Sequence, residues 1–360
     1  MRRILQSGAW RGALVLPFMG LAVFLLWWRG PDWHRVGDAF TAVRWEWVVA
    51  AIGLNFLSVL VRALAWRTVI VQALPEPHPG YGLVFSAFSV GLFANAVLPG
   101  RVGELARVAV LSRRLSGRQG VWAILVGSVF AHRVFDLFPS LMLVAWVLVT
   151  AKIPDWALTS LIGLACIGVV LFTIGFLAAR RQPGEHTRIE AGLGPVRRVL
   201  TMARYGLAVL RTPIPALLAL FFQCMGWLCQ LFAVWTAMRA FHIYEPLPAA
   251  GLVLVLMNIA TILPLWPGNV GLLQAAIALP LRQYGVTYAK GIAFGFGLQA
   301  IEASVGVGVG LIFLAREGLS FAMLRVMPEA RKAEVPEEQP DGEPPAPPST
   351  PGREHARVPG

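Results

Sequence analysis

The chain is 360 residues long, 57% hydrophobic and only 14% charged, where a soluble globular domain carries about 25% charged residues. Its mean hydropathy of +0.65 excludes an ordinary soluble enzyme or scaffold. The formal charge of +12 does not mark a nucleic-acid binder, because the Lys and Arg stand in short clusters between apolar blocks, the pattern of cytoplasmic loops in a multi-pass membrane protein.

The apolar blocks are taken in chain order. Arg2, Arg3 and Arg11 lead into an uncharged stretch over 12–28, and no small-x-small cleavage site follows. An uncleaved first span with the chain start inside is expected. Residues 33–44 are too polar to span. Trp33, Val36, Phe40 and Val43 fall on one helical face, which predicts a helix lying along the membrane surface. Further apolar blocks run over 45–66, 81–99, 119–150, 156–179, 216–238, 247–266, the short 271–281, and 291–315. The loop over 180–211 carries seven Arg and two Glu and should face the cytoplasm. Residues 1–320 thus form a polytopic membrane domain. Residues 321–360 are rich in Pro and Glu, cannot bury a core, and are expected to be a disordered cytoplasmic tail. Cys166, Cys224 and Cys229 all lie in apolar blocks and read as small hydrophobes without a disulfide. The scattered histidines support no metal site, and no cofactor is expected.

Counting sides reveals two interruptions. If 81–99 crossed fully, Arg113, Arg114 and Arg118 would face outward, against the positive-inside rule. The conflict disappears if 81–111 is a re-entrant hairpin turning at Pro99-Gly100. A second hairpin, turning at Pro267-Gly268 and opening the other way, returns Arg316 and the tail to the inside. The fold class expected is therefore an all-α integral membrane protein with about six full transmembrane helices and two Pro-Gly re-entrant helical hairpins. The run Leu98-Pro99-Gly100-Arg101-Val102-Gly103-Glu104-Leu105 matches Trp266-Pro267-Gly268-Asn269-Val270-Gly271-Leu272-Leu273 at Pro, Gly, Val, Gly and Leu. Paired Gly/Pro interruptions in two halves point to an inverted repeat and to a transporter's binding site.

Charged groups at the bilayer centre cost roughly 2.5–3.5 kcal/mol each and persist for pairing or function. Arg133 lies about 21 Å along a span that starts at Gln119, and Glu302 about 16 Å into its own; both should sit near mid-membrane. Asp136 follows Arg133 by one turn and can pair with it, Arg107 stands in the same relation to Glu104, and Glu302 could pair with Arg62 or Arg133. Arg62, Arg101, Arg107 and Arg133 outnumber the acids Glu104, Asp136 and Glu302. That balance favours a phosphate, which a guanidinium fork binds through two parallel hydrogen bonds. Helix starts after the two Pro-Gly turns add free N–H groups. Glu302 could instead carry a proton in exchange, since burial disfavours a charged carboxylate. His132 invites a transferase reading, but the sequence has neither a Ser elbow nor an Asp-rich metal motif, and an intramembrane His is more often a packing hydrogen-bonder.

These residues resemble the lysylphosphatidylglycerol synthase transmembrane-region family, also called the flippase-like domain family, over about residues 10–320. The resemblance rests on Arg62-Ala63-Leu64-Ala65-Trp66-Arg67, on Pro99-Gly100-Arg101-Val102-Gly103-Glu104 with Arg107, on Arg133-Val134-Phe135-Asp136, and on Pro267-Gly268-Asn269-Val270-Gly271. The family often has Glu a few residues after the second turn, where this chain has Gln274. No aminoacyl-transferase domain follows the last span, so the resemblance does not imply lysyl transfer. It implies translocation of an anionic phospholipid or lipid-linked substrate across a bacterial inner membrane, with both termini cytoplasmic. The expected substrate-contacting set is Arg62, Pro99, Gly100, Arg101, Gly103, Glu104, Arg107, Arg133, Asp136, Pro267, Gly268, Asn269, Gly271, Gln274 and Glu302. Membrane lipids are the expected partners, and homo-oligomers are compatible with the sequence. The alternatives are a non-transporting partner of a lipid- or glycan-modifying enzyme, and an intramembrane transferase using His132.

Overall fold

The structure is a computed structural model that describes residues 32–74, 76–98, 102–115, 121–180, 212–262 and 269–316. The first expected span, Pro99-Gly100-Arg101, Pro267-Gly268, the Arg-rich loop and the Pro/Glu tail lie outside the described residues. Every regular element described is helical, as it must be where no water is at hand to satisfy backbone N–H and C=O groups.

A short amphipathic helix, α1 (Trp33–Thr41), opens the described chain, capped by the Asp32 carboxylate accepting from the His34 N–H. It buries Val36 and sets the Phe40 ring edge-on against Phe241, centroids 5.6 Å apart, so it docks on the helix bundle through part of the predicted face. Among the described residues, five helices are long and apolar enough to cross a membrane: α2 (Trp45–Ala73), α5 (Val121–Thr150), α6 (Asp155–Arg180), α7 (Pro213–Ala240) and α10 (Tyr288–Arg316). Between them lie two pairs of shorter helices, α3 (Tyr81–Val97) with α4 (Gly103–Arg114), and α8 (Leu247–Ile262) with α9 (Leu272–Leu281). At 1.5 Å per residue, α4 and α9 reach only about 18 and 15 Å, half of a hydrocarbon core about 30 Å thick.

Each short pair folds back on itself. In the first, a Cβ added at either Gly91 or Gly103 would strike the other's carbonyl, and the Gly103 N–H donates to Asn95 Oδ1 at 2.8 Å. The close backbone approach needs glycine, and the Asn side chain satisfies an amide left open at the start of α4. In the second, Asn269 donates to the Ala260 carbonyl at 2.9 Å. Asn269 and Gly271 both have positive φ, 44° and 93°, and Gly271 takes that conformation without a Cβ penalty.

The two halves repeat in order: long helix, short pair, long helix. α2, α3–α4 and α5 are matched by α7, α8–α9 and α10. Their packing repeats as well. α3 lies on α10 as α8 lies on α5, and α2 touches α5 as α7 touches α10. One apolar core is built mainly from α2–α5 and another mainly from α7–α10. The helices α2 and α7 pair along their length in antiparallel register: the Arg44 N–H meets the Ala240 carbonyl at 3.0 Å, Ser58 Oγ the Gly226 carbonyl at 2.8 Å, and Thr212 Oγ1 meets Gln72 at 3.3 Å. Equivalent helices run in opposite directions, so the halves are an inverted repeat. Ser58 and Gly226, 168 residues apart, are separated by the same interval as Pro99 and Pro267 and sit against one another near the pseudo-two-fold axis.

The turns gather at the two ends of the bundle as the side-counting requires. Lys290 Nζ reaches the His242 carbonyl, the His242 ring contacts the Ala42 carbonyl, and the Lys152 N–H donates to Tyr284 Oη, each at 2.8 Å. The connections before α2, after α5, after α7 and before α10 therefore share one end, and Arg67 and Thr212 mark the other.

Candidate functional site

The first half places its ionisable side chains on three elements that converge: Arg62 on α2, Glu104 and Arg107 on α4, and Arg133 and Asp136 on α5. Asp136 is the hub. Its Oδ1 accepts from Arg62 Nη2 at 3.2 Å, from Trp227 Nε1 at 2.9 Å and from the Gln223 amide, and its Oδ2 accepts from Arg133 Nη1 at 3.1 Å. Arg133 also donates to Glu104, joining α5 to the first hairpin. Asp136 thus receives donors from α2, α5 and α7 at once, which holds the carboxylate in place. Pro139, one turn further along α5, cannot donate to the Phe135 carbonyl, so the regular helical ladder is interrupted beside the hub.

Arg107 is held differently. Its side chain is 5% exposed and lies over the Trp66 ring at 4.6 Å and the Phe88 ring at 5.4 Å, cation–π contacts that steady a guanidinium away from water. Trp66 is itself fixed by donating to Ser128 Oγ at 3.1 Å. Arg107 Nε and Nη2 are buried and have no hydrogen-bond partner among the described residues, as are Arg62 Nε and His132 Nδ1. Arg62, Arg107, His132, Arg133, Asp136, Glu104, Asn95 and Gly103 line a polar cavity of about 60 Å³, several times the room one water needs. Three arginines face two carboxylates, leaving one positive charge in excess. Arg133, with half of its side chain exposed (51%), stands at the rim. Next to this polar node a larger groove of about 320 Å³ runs between α5 and α7, lined by Met142, Trp146, Phe221, Leu228 and other apolar groups. Trp227 belongs to both, with its ring in the groove and its N–H on Asp136.

The pairing differs in part from expectation. Arg133 does meet Asp136, but Glu104 binds Arg133 rather than Arg107, because Arg107 turns inward onto the aromatic faces. Arg62 takes Asp136 rather than Glu302. The expected single set also divides in two. Arg62, Gly103, Glu104, Arg107, Arg133 and Asp136 share the first cavity. Asn269, Gly271, Gln274 and Glu302 belong to the second half, where Gln274 accepts from the Gly271 N–H and donates to Gln299, both at 2.6 Å.

Gln223, Trp227, Trp66, Phe88 and Asn95 were not singled out as site residues. Gln223 could have been: a wholly buried amide within an apolar span is as conspicuous as a charge there. The aromatic supports could not, since a Trp in a span ordinarily reads as packing or an interfacial anchor.

No curated protein and no solved structure matches the chain. A family model does, over residues 10–310, and is described as the lysylphosphatidylglycerol synthase TM region. The short-helix hairpins, the arginine cluster and all the described helices except the last turns of α10 lie within that match, and the chain belongs to the lysylphosphatidylglycerol synthase transmembrane-region family.

Proposed function

We propose that this protein is a flippase-like transporter that moves an anionic phospholipid or lipid-linked substrate across the bacterial inner membrane, with both of its own termini cytoplasmic. The observation that carries this reading is Arg107: a buried cation with two donor nitrogens, Nε and Nη2, unpartnered among the described residues, in the lining of a cavity of net positive charge. Leaving buried charged donors unmet is expensive, and a phosphate would meet them. The adjoining apolar groove supports the same reading, because an amphiphile needs a place for its chains beside a place for its headgroup. The inverted repeat supports it further, as the architecture on which alternating access is commonly built.

The test uses proteoliposomes containing fluorescently labelled phosphatidylglycerol, with a membrane-impermeant quencher reporting the outer leaflet. Wild-type protein should accelerate exchange at least tenfold over protein-free vesicles, and Arg107→Gln should return it to background while eluting as a monodisperse folded species. Exchange by Arg107→Gln equal to wild type overturns the assignment. Product formation from a lipid substrate that depends on His132, whose ring lines the same cavity, would favour the transferase reading instead.

A further inference from the structure

The α7 residues that line the apolar groove continue as a stripe toward the end of the bundle where α7 stops. Phe221, Cys224, Leu228 and Leu231 border the groove, and Trp235 and Arg239 follow at helical spacing on the same face. Phe221 and Leu228 are 55% and 44% exposed, so the stripe opens to the surrounding hydrocarbon. Arg239 stands in the last turn of α7, about 18 Å along the helix from Trp227, whose N–H meets Asp136. That is a little over half of a hydrocarbon core about 30 Å thick. If the Asp136 node lies near mid-membrane, Arg239 lies at the polar boundary of one leaflet.

Arg239 is held there by aromatic rings and not by an acid. Its guanidinium carbon lies 3.9 Å from the centroid of the Trp235 ring and 5.7 Å from that of Trp47 on α2, cation–π contacts from two helices. It forms no ion pair among the described residues. Glu46, next to Trp47 in the chain, is taken by Arg44 at 2.6 Å. Arg239 Nε and Trp47 Nε1 are both buried donors without a hydrogen-bond partner among the described residues. An Arg or Trp that merely anchors a helix at the membrane surface turns its N–H toward water. Here both groups are turned away from it, and unmet buried donors are costly.

We propose that Arg239 and Trp47 seat the phosphate of a phospholipid in the leaflet at this end of the bundle, the extracytoplasmic one by the side-counting above, with one acyl chain laid along α7 into the groove. A phosphate answers each feature. Its oxygens accept from a guanidinium and an indole N–H together, its charge balances Arg239, and the chain attached to it covers the exposed apolar stripe. A free phosphate would leave the stripe bare, and a neutral lipid would leave the cation without a counter-charge. The role of this seat as a way station rests on the transport reading above: one groove then serves one lipid, whose headgroup rests at Arg239 on one side of its passage and at the arginine cavity midway.

The experiment uses the full chain in maltoside micelles, with phosphatidylglycerol carrying a photoreactive diazirine on its headgroup. After illumination, mass spectrometry should find the probe on the peptides around Trp47 and Trp235. A diacylglycerol with the same chains and the same diazirine, but no phosphate, should label them far less. Arg239→Gln should lower phosphatidylglycerol labelling about tenfold, the loss expected for one charge-assisted hydrogen bond, and Trp47→Phe, which keeps a ring but removes the N–H, should lower it by less. Equal labelling by the two lipids, or undiminished labelling of Arg239→Gln, overturns the proposal. The comparison of the two lipids is made on wild type, so it decides the matter even if Arg239→Gln does not fold. Labelling that fails while lipid exchange in vesicles persists removes this seat and leaves the transport reading standing; labelling that succeeds without exchange does the reverse.

Discussion

Replacing Asp136 by Ala probes the node that ties three helices together. The deletion removes the acceptor for two neutral donors, the Gln223 amide and the Trp227 indole, and the counter-charge for Arg62 and Arg133. Gln223 is wholly buried and its Oε1 already lacks a partner, so its NH₂ has little prospect of finding a new acceptor. A stranded buried donor costs about 1–3 kcal/mol, and breaking a buried ion pair on one side costs about 3–5 kcal/mol. These terms overlap, since all share one carboxylate. Chains unfolded within a membrane also find alternative partners, which shrinks such differences. A net loss of about 3–4 kcal/mol is expected, two to three decades in the folding equilibrium. The assay is unfolding in bilayer-mimicking micelles by graded SDS or steric trapping, run as a cycle with Arg62→Ala and the double variant. The single changes should each be costly, and the pair should show a coupling of about 1–3 kcal/mol. A loss below about 1 kcal/mol for Asp136→Ala, with additive singles, would refute the view of Asp136 as the structural hub.

Arg107→Met should leave stability unchanged or raise it, because it removes a buried guanidinium with unmet donors while keeping a side chain against Trp66 and Phe88; the same variant should lose anionic-lipid binding, and a marked drop in thermal stability contradicts this. Gly103→Ala should cost about 1–3 kcal/mol by driving a methyl into the Gly91 carbonyl and the Asn95 side chain, whereas Gly82→Ala, with open space around it, should be neutral in the same unfolding assay.

The gross architecture was legible because it follows from one-dimensional physics. Long uncharged runs must be helical in a bilayer, and the placement of arginines required two interrupted segments at 81–111 and around Pro267-Gly268. Those segments appear as the short-helix pairs α3–α4 and α8–α9. The site was legible only as a list. Mid-span charges announced Arg62, Arg107, Arg133, Asp136 and Glu302, but spacing along a chain cannot choose between partners on different helices. Glu104 and Arg107 stand one turn apart, yet each finds its contacts elsewhere, because the burial of Arg107 between two aromatic rings depends on how α2 and α3 pack against α4.

The amino-acid order by itself determined that this chain is a multi-pass membrane protein, which of its described segments are long and apolar enough to cross, and which costly side chains they carry. Only the folded bundle decided that α2 and α7 lie antiparallel about a pseudo-two-fold axis, that one half concentrates arginines around a small cavity, and that the other joins Gln274 to Gln299 across its hairpin. The reason is physical: transfer to hydrocarbon is a property of each segment taken alone, whereas a hydrogen bond between helices exists only once their relative position is set.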